Sequence, residues 1–266
     1  MRTSVYFILL FIAALAAGLI ALVDFNEVDQ QIVYEYRFES NHHDQDHKDR
    51  KCRKKRRKRS CHERYSQSFN KIKVNSPADI VLRKANRQSE VGVRVEGCRI
   101  KKSTYDGMLH IDSENRHCNS NSTVYITYGD LEAIYHNGSG NLNVKSAIST
   151  DDFLVSSNSS GKIYINNIKV GHLKTNIKGS AEIFINGRVG QLTVYNYGSG
   201  DLRAYNLTCD YVQVENKSSG DIMVTANDLI KANIYGSGDV KFKGDAGVTI
   251  HKSHTQSSSG KLIRVK

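Results

Sequence analysis

The chain has 266 residues, 39% of them hydrophobic and 24% charged, with 38 Lys+Arg against 27 Asp+Glu and a formal net charge of +11. That length suits one or two domains, and the mixed composition excludes a wholly disordered chain. One proline, no tryptophan and 20 glycines exclude a collagen-like or proline-rich polymer.

The first element is Val5–Val23 (VYFILLFIAALAAGLIALV), 19 residues without a charge. As a helix it would span roughly 28 Å, the thickness of a bilayer core. Two readings fit it. One is a signal peptide cleaved after Ala14-Leu15-Ala16; the other is an uncleaved N-terminal anchor. Cleavage there would leave AGLIALV on the mature chain, and the run is longer than a usual signal core, so the residues favour an anchor. Asp24, Glu27 and Asp29 follow directly, so flanking charge does not fix the sidedness.

Residues 24–67 show no sustained period of 2 or 3.6 and read as a disordered linker. The excess charge sits here. Residues 48–64 carry eleven Lys/Arg and two acids, net +9, which leaves +2 for the other 249 residues. Lys51, Arg53, Lys54, Lys55, Arg56, Arg57, Lys58 and Arg59 are the candidates for holding an anionic surface such as anionic lipid, lipopolysaccharide or acidic glycan. Each basic residue near such a surface contributes about 1 kcal/mol. Phosphate neutralisation on nucleic acid uses the same charge. It is disfavoured because no stacking aromatic interrupts the cluster. In a eukaryotic host, KKRRKR before Ser60 would instead look like a processing or nuclear-import site. A plain solvated charge run is the bland alternative.

His42, His43, Asp44, Asp46, His47, Cys52, Cys61 and His62 raise the question of a metal. The Cys52-x8-Cys61 spacing fits no common zinc pattern, and the surrounding cations oppose a bound cation, so no metal is expected. The five cysteines suggest two local disulfides in an exported chain, Cys52–Cys61 and Cys98–Cys118. Cys209 is left as a small buried residue.

The strongest signal is an internal repeat. Gly138-Ser139-Gly140, Ser159-Ser160-Gly161, Gly179-Ser180-Ala181, Gly198-Ser199-Gly200, Ser218-Ser219-Gly220, Gly236-Ser237-Gly238 and Ser258-Ser259-Gly260 recur at spacings of 21, 20, 19, 20, 18 and 22. One residue after each triplet come alternating apolar pairs, such as Ile163/Ile165, Ile183/Ile185 and Ile222/Val224; the last copy slips by one residue and ends the stack. Before each triplet lies a second alternating segment, such as Leu192/Val194 and Val212/Val214. Period-2 alternation predicts two short strands and two turns per coil of about 20 residues. Such a unit cannot bury its own apolar face. Stacking coils in parallel, about 4.8 Å apart, turns the inward residues into continuous ladders. The fold is therefore an all-β parallel β-helix, with the triplet glycines expected to supply positive φ at tight corners. A leucine-rich repeat has a similar period but would need an asparagine position and a helical half that are missing.

The middle serines recur as a row of equivalent hydroxyls, which suits turn and inter-coil hydrogen bonds rather than one activated nucleophile. The following position reads Asn141, Lys162, Glu182, Asp201, Asp221, Asp239, Lys261. Asp201, Asp221 and Asp239 form a candidate acidic ladder; carboxylates about 5–5.5 Å apart serve retaining glycosidases. Capping of each turn by an Asp explains the same recurrence and is favoured. N-x-S/T sequons at Asn121, Asn137, Asn158, Asn206 and Asn216 matter only in a host that glycosylates exported proteins.

FNKIKVNSPADIVLRK, VGVRVEG, DGMLHIDSE and VYITYGDLEAIYHNGSGNLNV, in that order from Phe69, with the later YGSGDL and YGSGDV, resemble the putative auto-transporter adhesin, head GIN domain family. The resemblance covers Phe69 to Lys266 and implies a right-handed parallel β-helix outside the cytoplasmic membrane, with no established catalytic residue. The basic linker departs from that family's usual short spacer. The expectation is thus a membrane segment (1–23), a linker (24–67) and a β-helix (68–266). Together they would make a noncatalytic envelope protein that binds glycan or protein through its surface, where Tyr135, Tyr164, Arg203 and Lys241 face outward. No cofactor is called for. A polysaccharide-active enzyme, or binding of membrane or nucleic acid through the basic cluster, is the alternative.

Overall fold

The computed structural model describes residues 51–55, 58–64, 68–113, 118, 121–252 and 258–266. Val5–Val23, the linker up to residue 50, Arg56 and Arg57 lie outside these residues. No helix among the described residues is long and apolar enough to cross a membrane.

The described residues form eighteen strands, all joined in one sheet. The N-terminal ones are β1 (Lys51–Lys55), β2 (Lys58–Arg64), β3 (Lys71–Asn75), β4 (Asp79–Lys84), β5 (Gly92–Glu96), β6 (Ile100–Tyr105), β7 (Met108–Ser113) and β8 (Thr123–Tyr128). The repeats follow as β9 (Ala133–Asn137), β10 (Leu142–Val144), β11 (Ile148–Ser157), β12 (Ile163–Ile177), β13 (Ile183–Asn196), β14 (Leu202–Asn216), β15 (Ile222–Ile234), β16 (Val240–Lys243), β17 (Gly247–Lys252) and β18 (Leu262–Arg264). The one helical element among the described residues is a 3-10 turn at Gln88–Glu90. From β9 onward every pairing is parallel and coil upon coil, a β-solenoid of about six turns.

Each coil has three inward ladders, where the sequence pattern suggested two. The first runs Ile163, Ile183, Leu202, Ile222, Val240. The third runs Leu173, Leu192, Val212, Ile230; Val248 continues its register but is 47% exposed. Between them lies a middle ladder, Val170, Val189, Cys209 and Ala226. Its strands continue through bends, so β12 and β14 each run 15 residues. Register shifts at Ile165/Ile168, Phe184/Gly187 and Ala204/Thr208 interrupt the alternation and hide this face from a period-2 reading. Cys209 is a buried free thiol in that ladder, with burial pushing its pKa up to about 12.

The triplet glycines do not take positive φ. The described glycines that do are Gly97, Gly107, Gly187 and Gly244. The triplet glycines are needed for close approach instead. A Cβ at Gly161 would strike the carbonyl oxygen of Gly140, one at Gly220 that of Gly200, and one at Gly238 that of Gly220. Ala78 and Ala181 share this column, since the Cβ positions at Gly140 and Gly200 abut their carbonyls. Ser76-Pro77-Ala78 is therefore a degenerate first triplet.

The start of the solenoid does not follow chain order. β3 lies between β7 and β9, and β4 between β8 and β10. The β3–β4 coil is an interior rung: the chain builds β7–β8 on one side of it, then crosses to β9–β10 on the other. Antiparallel strands seal the β7–β8 end, β5 against β8 and β6 against β7. The β6–β7 hairpin turns at Asp106-Gly107, both with positive φ, as a two-residue turn of this kind demands. Cys98 and Cys118 form a disulfide beside this end, with Cα atoms 4.8 Å apart.

The basic cluster is not all structureless linker. β1 and β2 form an antiparallel hairpin, and β2 adds to β5. Period-2 alternation is absent there because charge occupies both parities, yet an open sheet edge at β5 offers backbone partners irrespective of side chain. The register sets Cys52 opposite Cys61.

Candidate binding faces

The candidate acids sit at the corner that precedes the first ladder, and each is committed to its neighbour. Oδ1 of Asp201 accepts the Asp221 amide N–H at 2.8 Å, Asp221 that of Asp239 at 2.9 Å, and Asp239 that of Lys261 at 3.0 Å. Asp79 and Asn141 do the same for Asn141 and Lys162. The remaining oxygens are ion-paired. Lys241 Nζ lies 2.6 Å from Asp221 and 3.9 Å from Asp239, and Arg203 lies 2.8 Å from Glu182 and 3.6 Å from Asp201. Burial disfavours the charge on Asp221, but hydrogen bonds from Lys241 and the Asp239 amide outweigh it, so its pKa falls below the ordinary carboxylate value. A glycosidase's general acid needs the opposite shift.

Tyr164, Arg203 and Lys241 do share one outward column, with Phe184 and Met223 between them. Tyr164 and Phe184 stack at 4.8 Å with planes 11° apart, and Arg203 covers Phe184 at 5.8 Å. This column is largely occupied with itself, ring on ring and cation on acid.

Tyr135 belongs to a different face, outside the third ladder. Its column continues Ser156, Asn176, Tyr195, Glu215, Asn233. Two residues on, at the corner, come Asn137, Asn158, Lys178, Tyr197, Lys217 and Tyr235. Tyr197 and Tyr235 are 48% and 40% exposed. Lys217 Nζ lies 5.4 and 5.5 Å from their ring centroids and 2.7 Å from Glu215. Tyr195 and Tyr197 stack with planes 7° apart and centroids 6.3 Å apart, with Lys174 over Tyr195 at 5.2 Å. At the far end Asn137 donates to Asn75 at 2.9 Å and Asn75 to Asp112 at 2.7 Å. The sequence signal for this face was present in the tyrosine that precedes the triplets at Gly198 and Gly236, but the repeat itself drew attention to the other side of the corner.

Two histidines look chemical and are not placed for catalysis. His136 is buried at 0% exposure, its Nδ1 3.1 Å from Ser159 Oγ, which is 2.9 Å from Ser157 Oγ. Burial lowers its pKa to about 4 against a smaller opposing pull from Asp79. His172 bridges Asp152 (3.6 Å) and Thr193 Oγ1 (3.0 Å), but Thr193 is only 7% exposed, out of reach of a substrate. Of the middle serines, Ser180 and Ser199 hydrogen-bond coil to coil at 3.1 Å. Among the described residues no three of His, Cys, Asp and Glu gather as a metal site. His42, His43, Asp44, Asp46 and His47 lie outside those residues.

Stacked parallel coils with ordered outward ladders make this a β-solenoid protein. The chain belongs to the family described as putative auto-transporter adhesin, head GIN domain, which matches residues 68–246. Among solved structures, a putative adhesin from Bacteroides fragilis is similar at 18% identity and a TM-score of 0.72, over 79% of this chain and 98% of its own. A putative adhesin from Parabacteroides distasonis gives 21% identity and 0.61, over 78% and 97%. A putative lipid binding protein from the same species gives 19% and 0.56, over 79% and 97%. At these identities the likeness is one of fold. No protein of curated function matches.

Proposed function

We propose that the protein is a noncatalytic, exported envelope protein, held to the membrane by Val5–Val23, that binds glycan or protein through the outer faces of a right-handed solenoid. The observation that carries this is the commitment of the acid ladder: Asp201, Asp221 and Asp239 each cap the next coil's backbone and are ion-paired, leaving recognition rather than proton transfer to the surface. Right-handed winding follows the sense that parallel β crossovers take in about 98% of cases. The Cys98–Cys118 disulfide supports an oxidising compartment. A second bridge, Cys52–Cys61, would staple the basic hairpin, given the register.

The test is a binding screen of the full-length protein in detergent against a glycan panel and envelope extracts. Retention of a glycan or an envelope protein by wild type, with no change in polysaccharide chain length, is the expected result. Cleavage of a polysaccharide that disappears in Asp201→Asn/Asp221→Asn would replace this reading with the enzymatic one.

The basic cluster supports a second contact, with anionic lipid or lipopolysaccharide. One protein of similar fold is described as a putative lipid binding protein. Deleting residues 48–64 should remove the preference for anionic over neutral liposomes and leave glycan or protein binding intact; an equal preference without the cluster would rule it out.

A further inference from the structure

Resting on the binding role above, we propose that the corner column Lys178–Tyr197–Lys217–Tyr235, with Tyr195 and Lys174 beside it, is a subsite for an extended acidic polysaccharide lying along the solenoid axis. The column alternates cation and aromatic, one residue per coil. Coils are about 4.8 Å apart, so like groups recur about every 9.6 Å. That is close to the length of a disaccharide in an extended β-linked chain. A polymer with one carboxylate per disaccharide would meet a ring and an ammonium once per repeat.

The chemistry fits a sugar on three counts. Tyr197 and Tyr235 leave 48% and 40% of their surface open, and an aromatic ring packs against the C–H face of a sugar. The flanking outward positions Ser156, Asn158, Asn176 and Asn233 are short hydroxyls and amides, which pair with sugar hydroxyls as donor and acceptor together. The charge is right: Lys174, Lys178 and Lys217 stand against Glu215 alone, and Lys178 makes no ion pair among the described residues. Tyr197 and Lys217 are also fixed in advance. Tyr197 lies parallel to Tyr195, its Oη 3.5 Å from Glu215, and Glu215 holds Lys217 at 2.7 Å. Little side-chain freedom remains to be lost on binding. The Tyr164–Phe184 column differs in two respects: its rings stack more closely, at 4.8 Å, and both neighbouring cations, Lys162 and Arg203, are paired with Glu182, whereas Lys174 and Lys178 make no ion pair among the described residues.

The experiment uses the protein in detergent with residues 48–64 deleted, so that the basic cluster does not itself hold the acidic polymers and this background stands as wild type, with three probes: hyaluronan and polygalacturonate as acidic polymers, and glucomannan as a neutral one. Wild type should bind an acidic polymer in preference to glucomannan, more weakly as salt rises. Tyr197→Ala/Tyr235→Ala should weaken that binding at least tenfold, and Lys178→Ala/Lys217→Ala should flatten its salt dependence. Arg203→Ala on the other face should change nothing. Both tyrosines are exposed, so thermal melting should match wild type; Tyr197→Phe, which keeps the ring, should retain binding. Acidic-polymer binding unchanged in the tyrosine variant, or preference for glucomannan, overturns the subsite and leaves the binding role standing. So does retention of an envelope protein with no polysaccharide bound. Failure to bind any probe or any envelope component overturns both.

Discussion

At Gly161 a single methyl group would run into the backbone carbonyl of Gly140, and backbone cannot swing aside as a side chain can. Gly161→Ala should therefore destabilise the fold by about 2 kcal/mol or more. Gly129→Ala, whose nearest neighbours would be 3.6 and 4.0 Å away, should change little. Urea unfolding of the two variants checks the contrast. His136 offers a second residue-level test. Its pKa falls from 6.5 in the unfolded chain to about 4 in the fold, so the unfolded state binds the proton more readily. Its contribution is full above pH 6.5 and is lost as pH drops toward 4, by up to about 3 kcal/mol. His136→Leu should flatten that part of the stability–pH curve; an unchanged slope would mean the side chain is solvated in the fold. The glycine triplets were plain in the sequence, but their reason was not. A corner needing positive φ and a wall needing no Cβ leave the same letter, and only the position of the neighbouring coil separates them.

At the scale of the element, each rung contributes inward residues to ladders shared with both neighbours. Ile183 is 0% exposed between Ile163 and Leu202. Ile183→Asp would bury a charge with no partner and should unfold the stack, seen as loss of the β-sheet circular dichroism signal. The cap behaves differently. The Cys98–Cys118 bridge closes a separation of 20 residues, which corresponds to about 3 kcal/mol in the chain-entropy account. Cys98→Ser/Cys118→Ser should lower thermal stability while the repeats keep their spectrum. The first and third ladders were legible because their alternation is regular. The middle ladder was not, because bulges beside Gly187 and Thr208 shift its register. The β1–β2 hairpin had no apolar signal at all, and what places it is the backbone edge of β5.

At the scale of the whole molecule, stability in a stack is a sum of rungs and nearest-neighbour interfaces, so position in the stack decides the effect of a deletion. Removing residues 247–266 shortens one end and should leave a folded solenoid. Removing residues 68–84 takes out β3 and β4, a rung that lies between β7–β8 and β9–β10, and should abolish folding although it too is terminal in the sequence of the domain. Limited proteolysis of the two truncations distinguishes them. The same reasoning locates charge. The +9 cluster on residues 48–64 precedes a solenoid that is itself basic, with 25 Lys+Arg against 18 Asp+Glu over residues 68–266, net +7, and that carries cations in ordered columns.

The sequence alone determined the repeat, the parallel stacking and the family, because a period of about 20 residues with period-2 alternation inside it admits few ways to bury its apolar side. It also placed the three aspartates in one column. What those residues do was decided by tertiary structure. Oδ1 of Asp201 reaches an amide 20 residues away, β3 pairs with strands on either side that come later in the chain, and Lys178, Tyr197, Lys217 and Tyr235 align only when four coils lie one on another. Each of these is a contact between coils, set by the 3-dimensional register of one rung on the next, and a linear pattern carries the period of that register but not its neighbours.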